Sequence, residues 1–137
     1  MLRELFIDYL MRFVGTRYKW GGENPISGFD CSGLISEGLM AVGVLGGRTS
    51  AQGIYNEISP KATRRLDRGS VVFFGPALSA IHHIGVIITP GIMIEAGNGN
   101  HLINTVEDSD LANAFVRVRS TSIRKDLVIG LLPNEFL

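Results

Sequence analysis

Cys31 is the one cysteine in the chain, and it sits in Asp30-Cys31-Ser32-Gly33. There a loop rich in Gly, Pro and Ser (residues 21–28) gives way to a helical pattern. A thiol at a helix start lies against the positive end of the helix dipole, which favours the nucleophilic thiolate. Such a nucleophile requires a base, and the base a third polar group to orient it. The chain offers His82, His83 and His101. Successive strand residues point to opposite faces, so His82 and His83 cannot both serve one site. His83 shares its face with Gly85, whereas Ile84, Val86 and Ile88 read as the core side. His82, preceding the strand, reads as an exposed loop-end residue.

Glu95 is the candidate third group. If Thr89-Pro90-Gly91 forms the loop, Ile88 pairs with Ile92 and Glu95 falls opposite Gly85, diagonal to His83 on the same face. A two-residue loop would send Glu95 to the other face. Two plainer readings compete: a buried structural Cys31 packing as a small hydrophobe, and a sheet-edge charge at Glu95. Spacing argues against a metal site, since there is neither His-x-His nor His-x-x-x-His. No cofactor is expected.

The elements that must position these groups follow from periodicity. Apolar Leu2, Leu5, Phe6, Tyr9, Leu10 and Phe13 mark a helix over residues 2–13, with Gly15 as its stop. Asp30 can cap a second helix whose packed face carries Cys31, Leu34, Ile35, Gly38, Leu39 and Val42. Gly38 allows another element to approach closely. A short helix over 50–58 has Ser50 as its cap. From residue 70 the pattern changes to short β-branched or aromatic runs: 71–74, 83–88, 92–95, 103–106 and 115–119, with a sixth over 127–132. Helices first and strands afterwards argue for an α+β domain with an antiparallel sheet.

Composition bounds the function. With 45% hydrophobic and 19% charged residues in 137, the chain reads as one globular domain spanning 1–137. Zero net charge without a long Lys/Arg run argues against nucleic-acid binding. Charges interrupt the apolar residues of Met1 to Asp8, which reads as no signal peptide. No run is long enough for membrane insertion.

The motifs carry a resemblance. Gly15-Thr16-Arg17-Tyr18-Lys19-Trp20-Gly21-Gly22, Gly28-Phe29-Asp30-Cys31-Ser32-Gly33-Leu34-Ile35, Arg48-Thr49-Ser50-Ala51-Gln52, Arg68-Gly69-Ser70-Val71-Val72-Phe73-Phe74 and His83-Ile84-Gly85-Val86 stand in this order. Together they resemble the NlpC family of papain-like cysteine peptidases, which cleave bacterial peptidoglycan stem peptides. The likeness covers about residues 5–118, leaving 120–137 as a C-terminal extension expected to add a strand. Two departures stand out. The family commonly has His where this chain has Glu95, and Gly-Asp where it has Gly69-Ser70.

The resemblance implies a papain-like α+β fold, with N-terminal helices packed on a five- to six-stranded antiparallel sheet. It implies Cys31 as nucleophile, His83 as acid–base, Glu95 as the group holding the ring, and Tyr18 assisting at the oxyanion. Asp30 and Ser32 would bind the free amino end of the stem peptide. Trp20 would line the cleft or pack in the core. The bond implied is γ-D-glutamyl to diamino acid, cut through a thioester. Other readings stay open: an amidase or acyltransferase on a non-peptidoglycan substrate, and a non-catalytic phage structural or binding module. The expected setting is synthesis in the cytoplasm and action at the bacterial cell wall. Delivery would be by a phage tail or a secretion machine, or as a domain of a longer protein.

Overall fold

The computed structural model describes residues 1–137. Four helices, α1 (Leu2–Met11), α2 (Cys31–Ala41), α3 (Ala51–Ile58) and α4 (Val106–Ala112), accompany eight strands. The strands β1 (Glu23–Asn24) and β2 (Gly28–Phe29) form a small antiparallel ladder immediately before α2. The remaining six are β3 (Ala62–Arg64), β4 (Val71–Phe74), β5 (His83–Thr89), β6 (Ile92–Ala96), β7 (Val116–Ser120) and β8 (Leu127–Pro133). They build one antiparallel sheet in the order β3-β8-β4-β5-β6-β7. This is the α+β arrangement expected, with the six strands at the upper end of the expected number.

The first three helices cover one face of the sheet. In α1 the buried residues are Phe6, Ile7 and Leu10, while Leu5 is exposed, so the stripe is rotated from the expected one. The reason is the partner: Phe6 and Leu10 flank Gly38 of α2, where a Cβ would come within 2.7 Å of Leu10 and 2.9 Å of Phe6. Gly38 therefore sets the close crossing of the two helices. Ile84, Val86, Ile94 and Ala96 of the sheet join the same core as Leu34, Ile35, Leu39 and Ile54. The opposite sheet face holds a smaller cluster, Val72, Phe74, Ile87 and Met93. No helix is long and apolar enough to cross a membrane.

One expected element needs correction, and one strand was not expected. Residues 103–106 are not a strand: Ile103 is buried alone, and Thr105 caps α4 in a reciprocal pair with Asp108. Acidic Glu107 and Asp108 in the first turn complete a helix start that outweighs the β-branched run. The short strand β3 carries no clear signal in the sequence and forms because β8 offers it a partner.

The C-terminal strand is the other finding. As expected, residues 127–133 add a strand, but β8 is interior, between β3 and β4. Ile129, Leu131, Leu132 and Phe136 all belong to the main core. Removing buried side chains of this size costs about 2–5 kcal/mol each, against a total stability of about 5–15 kcal/mol. A chain ended at Asp126 is therefore expected to lose cooperative unfolding, checked by circular dichroism during thermal denaturation.

Candidate active site

The start of α2 is built around one carboxylate. Asp30 is its N-cap in extended backbone, and Oδ1 accepts from the Gly33 N–H at 2.6 Å. Oδ2 accepts from the Gly21 N–H at 3.1 Å, fixing the preceding glycine loop. The Arg48 guanidinium donates to both oxygens at 2.8 and 3.0 Å and to Ser32 Oγ at 2.9 Å. Gly33 is required by this packing, since a Cβ there would lie 2.0 Å from the Gly22 carbonyl oxygen. Cys31 is the first residue of the helix, so its backbone N–H has no acceptor within the helix.

His83 opens β5, at the end of the sheet that meets this helix start. The Cys31 thiol makes a long contact, 4.0 Å, with the carbonyl oxygen of His82, one peptide bond from His83. On its other side, His83 Nε2 lies 2.6 Å from Glu95 Oε1, and both side chains are buried. Glu95 arrives by a route different from the expected one. Thr89 pairs with Ile92, so the loop is the two-residue Pro90-Gly91. A bulge between Ile87 and Thr89 supplies the extra residue that keeps Glu95 on the His83 face. Glu95 Oε2 faces Arg119 Nη1 at 3.5 Å, and that nitrogen also donates to Asn98 Oδ1 at 3.0 Å.

Burial works to raise the Glu95 pKa. The hydrogen bond and charge of His83, with the guanidiniums of Arg119 and Arg124, outweigh it and hold the carboxyl below its ordinary range. An ionised carboxylate only accepts, so the short contact places a proton on His83 Nε2 and leaves Nδ1 as the other ring nitrogen.

The thiol behaves differently from the sequence expectation. Burial first, then the Asp30 charge, pushes the Cys31 thiol up to about 12, although the Ser32 backbone N–H, Arg48 and Arg124 pull the other way. The helix start alone therefore does not yield a thiolate.

Two cavities of about 480 Å³ each meet at Cys31, and Tyr18, Trp20 and His82 line both. The first adds His83, Glu95, Asn98, Arg119 and Arg124. The second adds Asp30, Ser32, Arg48, Ser50 and Ile81. All seven residues singled out in the sequence thus line one continuous groove. Trp20 is half exposed there and outside the core. Tyr18 is buried, and its hydroxyl makes no hydrogen bond within the protein. Burial, with the nearby Cys31 and Asp30 charges, raises its pKa, so the hydroxyl keeps its proton. Gly99 packs flat on the Tyr18 ring, where a Cβ would stand 2.2 Å from it. His82 is exposed, as expected, with Nε2 3.6 Å from Asp126 Oδ2. His101 lines neither cavity; its ring lies 6.2 Å from that of Trp20.

Sequence reasoning missed Arg48, Gly99 and Arg119 as parts of the site. Arg48 opens the Arg48-Thr49-Ser50-Ala51-Gln52 motif, but nothing in the sequence ties it to Asp30. Arg119 sits on an alternating strand, where an arginine usually means a solvated face.

The fold and this groove define a papain-like α+β protein with a cysteine at a helix start beside a histidine–carboxylate pair. The NlpC/P60 family matches residues 15–124, and the chain belongs to that family. The match begins later and ends later than the span expected from the motifs. Among curated relatives, the bifunctional muramidase/DL-endopeptidase CwlT of Bacillus subtilis is 32% identical over 118 residues, covering 83% of this chain and 33% of CwlT. The probable peptidoglycan endopeptidase LytE of the same organism is 38% identical over 96 residues, covering 70% of this chain and 28% of LytE. The chain therefore spans about a third of the length of these relatives. Among solved structures, the NlpC/p60 domain of the peptidoglycan hydrolase SagA superposes with a TM-score of 0.68 at 21% identity, covering 94% of this chain and 97% of that domain. The peptidoglycan hydrolase RipB of Mycobacterium tuberculosis gives 0.69 at 22% identity, covering 97% of this chain and 64% of RipB.

Two predictions follow from the charges. On the peptidase chemistry proposed below, His83→Ala should slow iodoacetamide alkylation of Cys31 at pH 7.5 by at least about 100-fold, because the base that takes the thiol proton is gone. The lost rate should return only at strongly alkaline pH, and rates measured from pH 6 to 11 in both proteins check this. Glu95 is more acidic folded than unfolded, so its stabilisation is complete above the ordinary carboxylate range and drains as pH falls through the depressed value. Glu95→Gln should therefore flatten part of the fall in urea midpoint between pH 6 and pH 3.

Proposed function

We propose that this protein is a cysteine peptidase that hydrolyses amide bonds in peptidoglycan stem peptides at the bacterial cell wall, between γ-D-glutamate and the diamino acid. The observation that carries the reading is the short His83–Glu95 contact, which leaves the second ring nitrogen uncommitted in a cavity that Cys31 also lines.

The chemistry follows from that arrangement. His83 Nδ1 takes the thiol proton, and the resulting imidazolium is held by ionised Glu95. Sγ attacks the amide carbon, and the carbonyl oxygen becomes an oxyanion. The Cys31 N–H at the helix start meets it, with the protonated Tyr18 hydroxyl as second donor. His83 then gives its proton to the leaving amine, the C–N bond breaks and a thioester remains. Water, deprotonated by His83, attacks the thioester carbonyl and releases the acid and the thiol.

The acyl side of the peptide lies against Asp30, Ser32 and Arg48, with Trp20 as a wall. Asp30 first holds the helix start, and a substrate ammonium meets a carboxylate already shared with Arg48. Relatives support the reading. RipA of M. tuberculosis is named a peptidoglycan endopeptidase and is 31% identical over 99 residues. RipA structures exist mutated at a cysteine, a histidine and a glutamate, the last two separated by 12 positions, as His83 and Glu95 are. CwlT is named a DL-endopeptidase.

The parent protein and Cys31→Ala, incubated with purified stem peptides, test this by mass spectrometry. The parent should release the diamino acid fragment and the variant should not, with a loss of at least about 10³-fold in rate. Intact peptides after long incubation with the parent would refute the proposal.

A further inference from the structure

The His83 cavity ends in two guanidinium groups that the reaction above does not use for proton transfer. Arg119 comes from β7 and Arg124 from the turn that follows. Both are partly buried and both line the cavity. Arg119 uses one nitrogen, Nη1, on Asn98 and Glu95, and Nε and Nη2 make no hydrogen bond within the protein. Arg124 holds Asp126 through Nε and Nη2, at 3.2 and 3.1 Å, and lies over the Phe74 ring at 5.3 Å. Its Nη1 makes no hydrogen bond within the protein. None of these three nitrogens is among the buried side-chain atoms that lack a partner, so they are open to solvent.

Glu95 is the one carboxylate that lines the cavity, and its Oε1 is committed to His83. Asp126, outside the lining, is paired with Arg124 through two other nitrogens. Three guanidinium nitrogens are left over as donors in a partly enclosed space, where charge-assisted hydrogen bonds are strong. The side of the cleavage is also determined. The group that protonates the leaving amine must stand on the leaving side, so the His83 cavity receives the leaving residue and the Asp30 cavity the acyl part.

We infer that Arg119 and Arg124 form a subsite for a carboxylate carried by the leaving residue. This rests on the peptidase reading and names a recognition element for it. The carboxylate is either the α-carboxylate of that residue or one on its side chain. A charge-assisted pair of this kind is worth about 10- to 100-fold in affinity. A leaving residue whose carboxylates are amidated should bind correspondingly less well.

The test uses three tripeptides, L-alanyl-γ-D-glutamyl-meso-diaminopimelate with the α-carboxyl amidated, the side-chain carboxyl amidated, or both. Their binding to Cys31→Ala is measured by isothermal titration calorimetry. One monoamide should bind about 10- to 100-fold more tightly than the diamide, and which one identifies the carboxylate read. Arg124→Gln in the same background should erase the difference, and Arg124→Lys should keep most of it. Equal affinities for all three peptides, or a preference that survives in a folded Arg119→Gln/Arg124→Gln variant, would overturn the inference. The active protein separates the two failures. Cleavage of all three peptides at equal kcat/KM refutes the arginine subsite alone, whereas a carboxylate preference in binding without cleavage of any peptide refutes the peptidase.

Discussion

One inserted residue decides whether this site exists. With a two-residue turn at Pro90-Gly91, strict alternation would put Glu95 on the sheet face away from His83. The bulge at Ile88 adds a residue to β5 and restores the facing. The 2.6 Å contact, the lowered Glu95 pKa and the assignment of the ring proton all depend on it. The interaction is buried, so neither partner could be removed without leaving the other's polarity uncompensated.

The second organising group is Asp30. Its carboxylate joins the glycine loop, the first turn of α2 and Arg48, and so fixes the backbone N–H of Cys31 in space. That rigidity has an electrostatic cost. Asp30 adds to the burial that pushes the neighbouring thiol up, so the residue that fixes the Cys31 backbone also works against ionisation of its thiol. In the proposed reaction His83, held by Glu95, is the base that answers this by taking the thiol proton.

Much of this was readable from the sequence because the signals are local. Asp30 as a cap, the packed face of α2, Ser50 as a cap and the alternating strands β4 to β6 each follow from a few adjacent residues. His83 could be chosen over His82 from strand alternation alone. The misses are long-range. The register of β5 and β6 was expected through a three-residue loop, and the right face was reached by a different backbone route. Residues 103–106 looked like a strand because Ile103 and Val106 are β-branched, yet the Thr105–Asp108 capping pair was in plain view. Arg48 and Arg119 act on residues 18 and 24 positions away, and no spacing rule connects them.

The interior position of β8 has a consequence for biogenesis. The strand that bears His83 pairs with β4, and β4 completes its other edge only with residues 127–131. Until residues 127–131 are available that edge stays open, so Cys31 and His83 are made well before the scaffold that brings them together is complete.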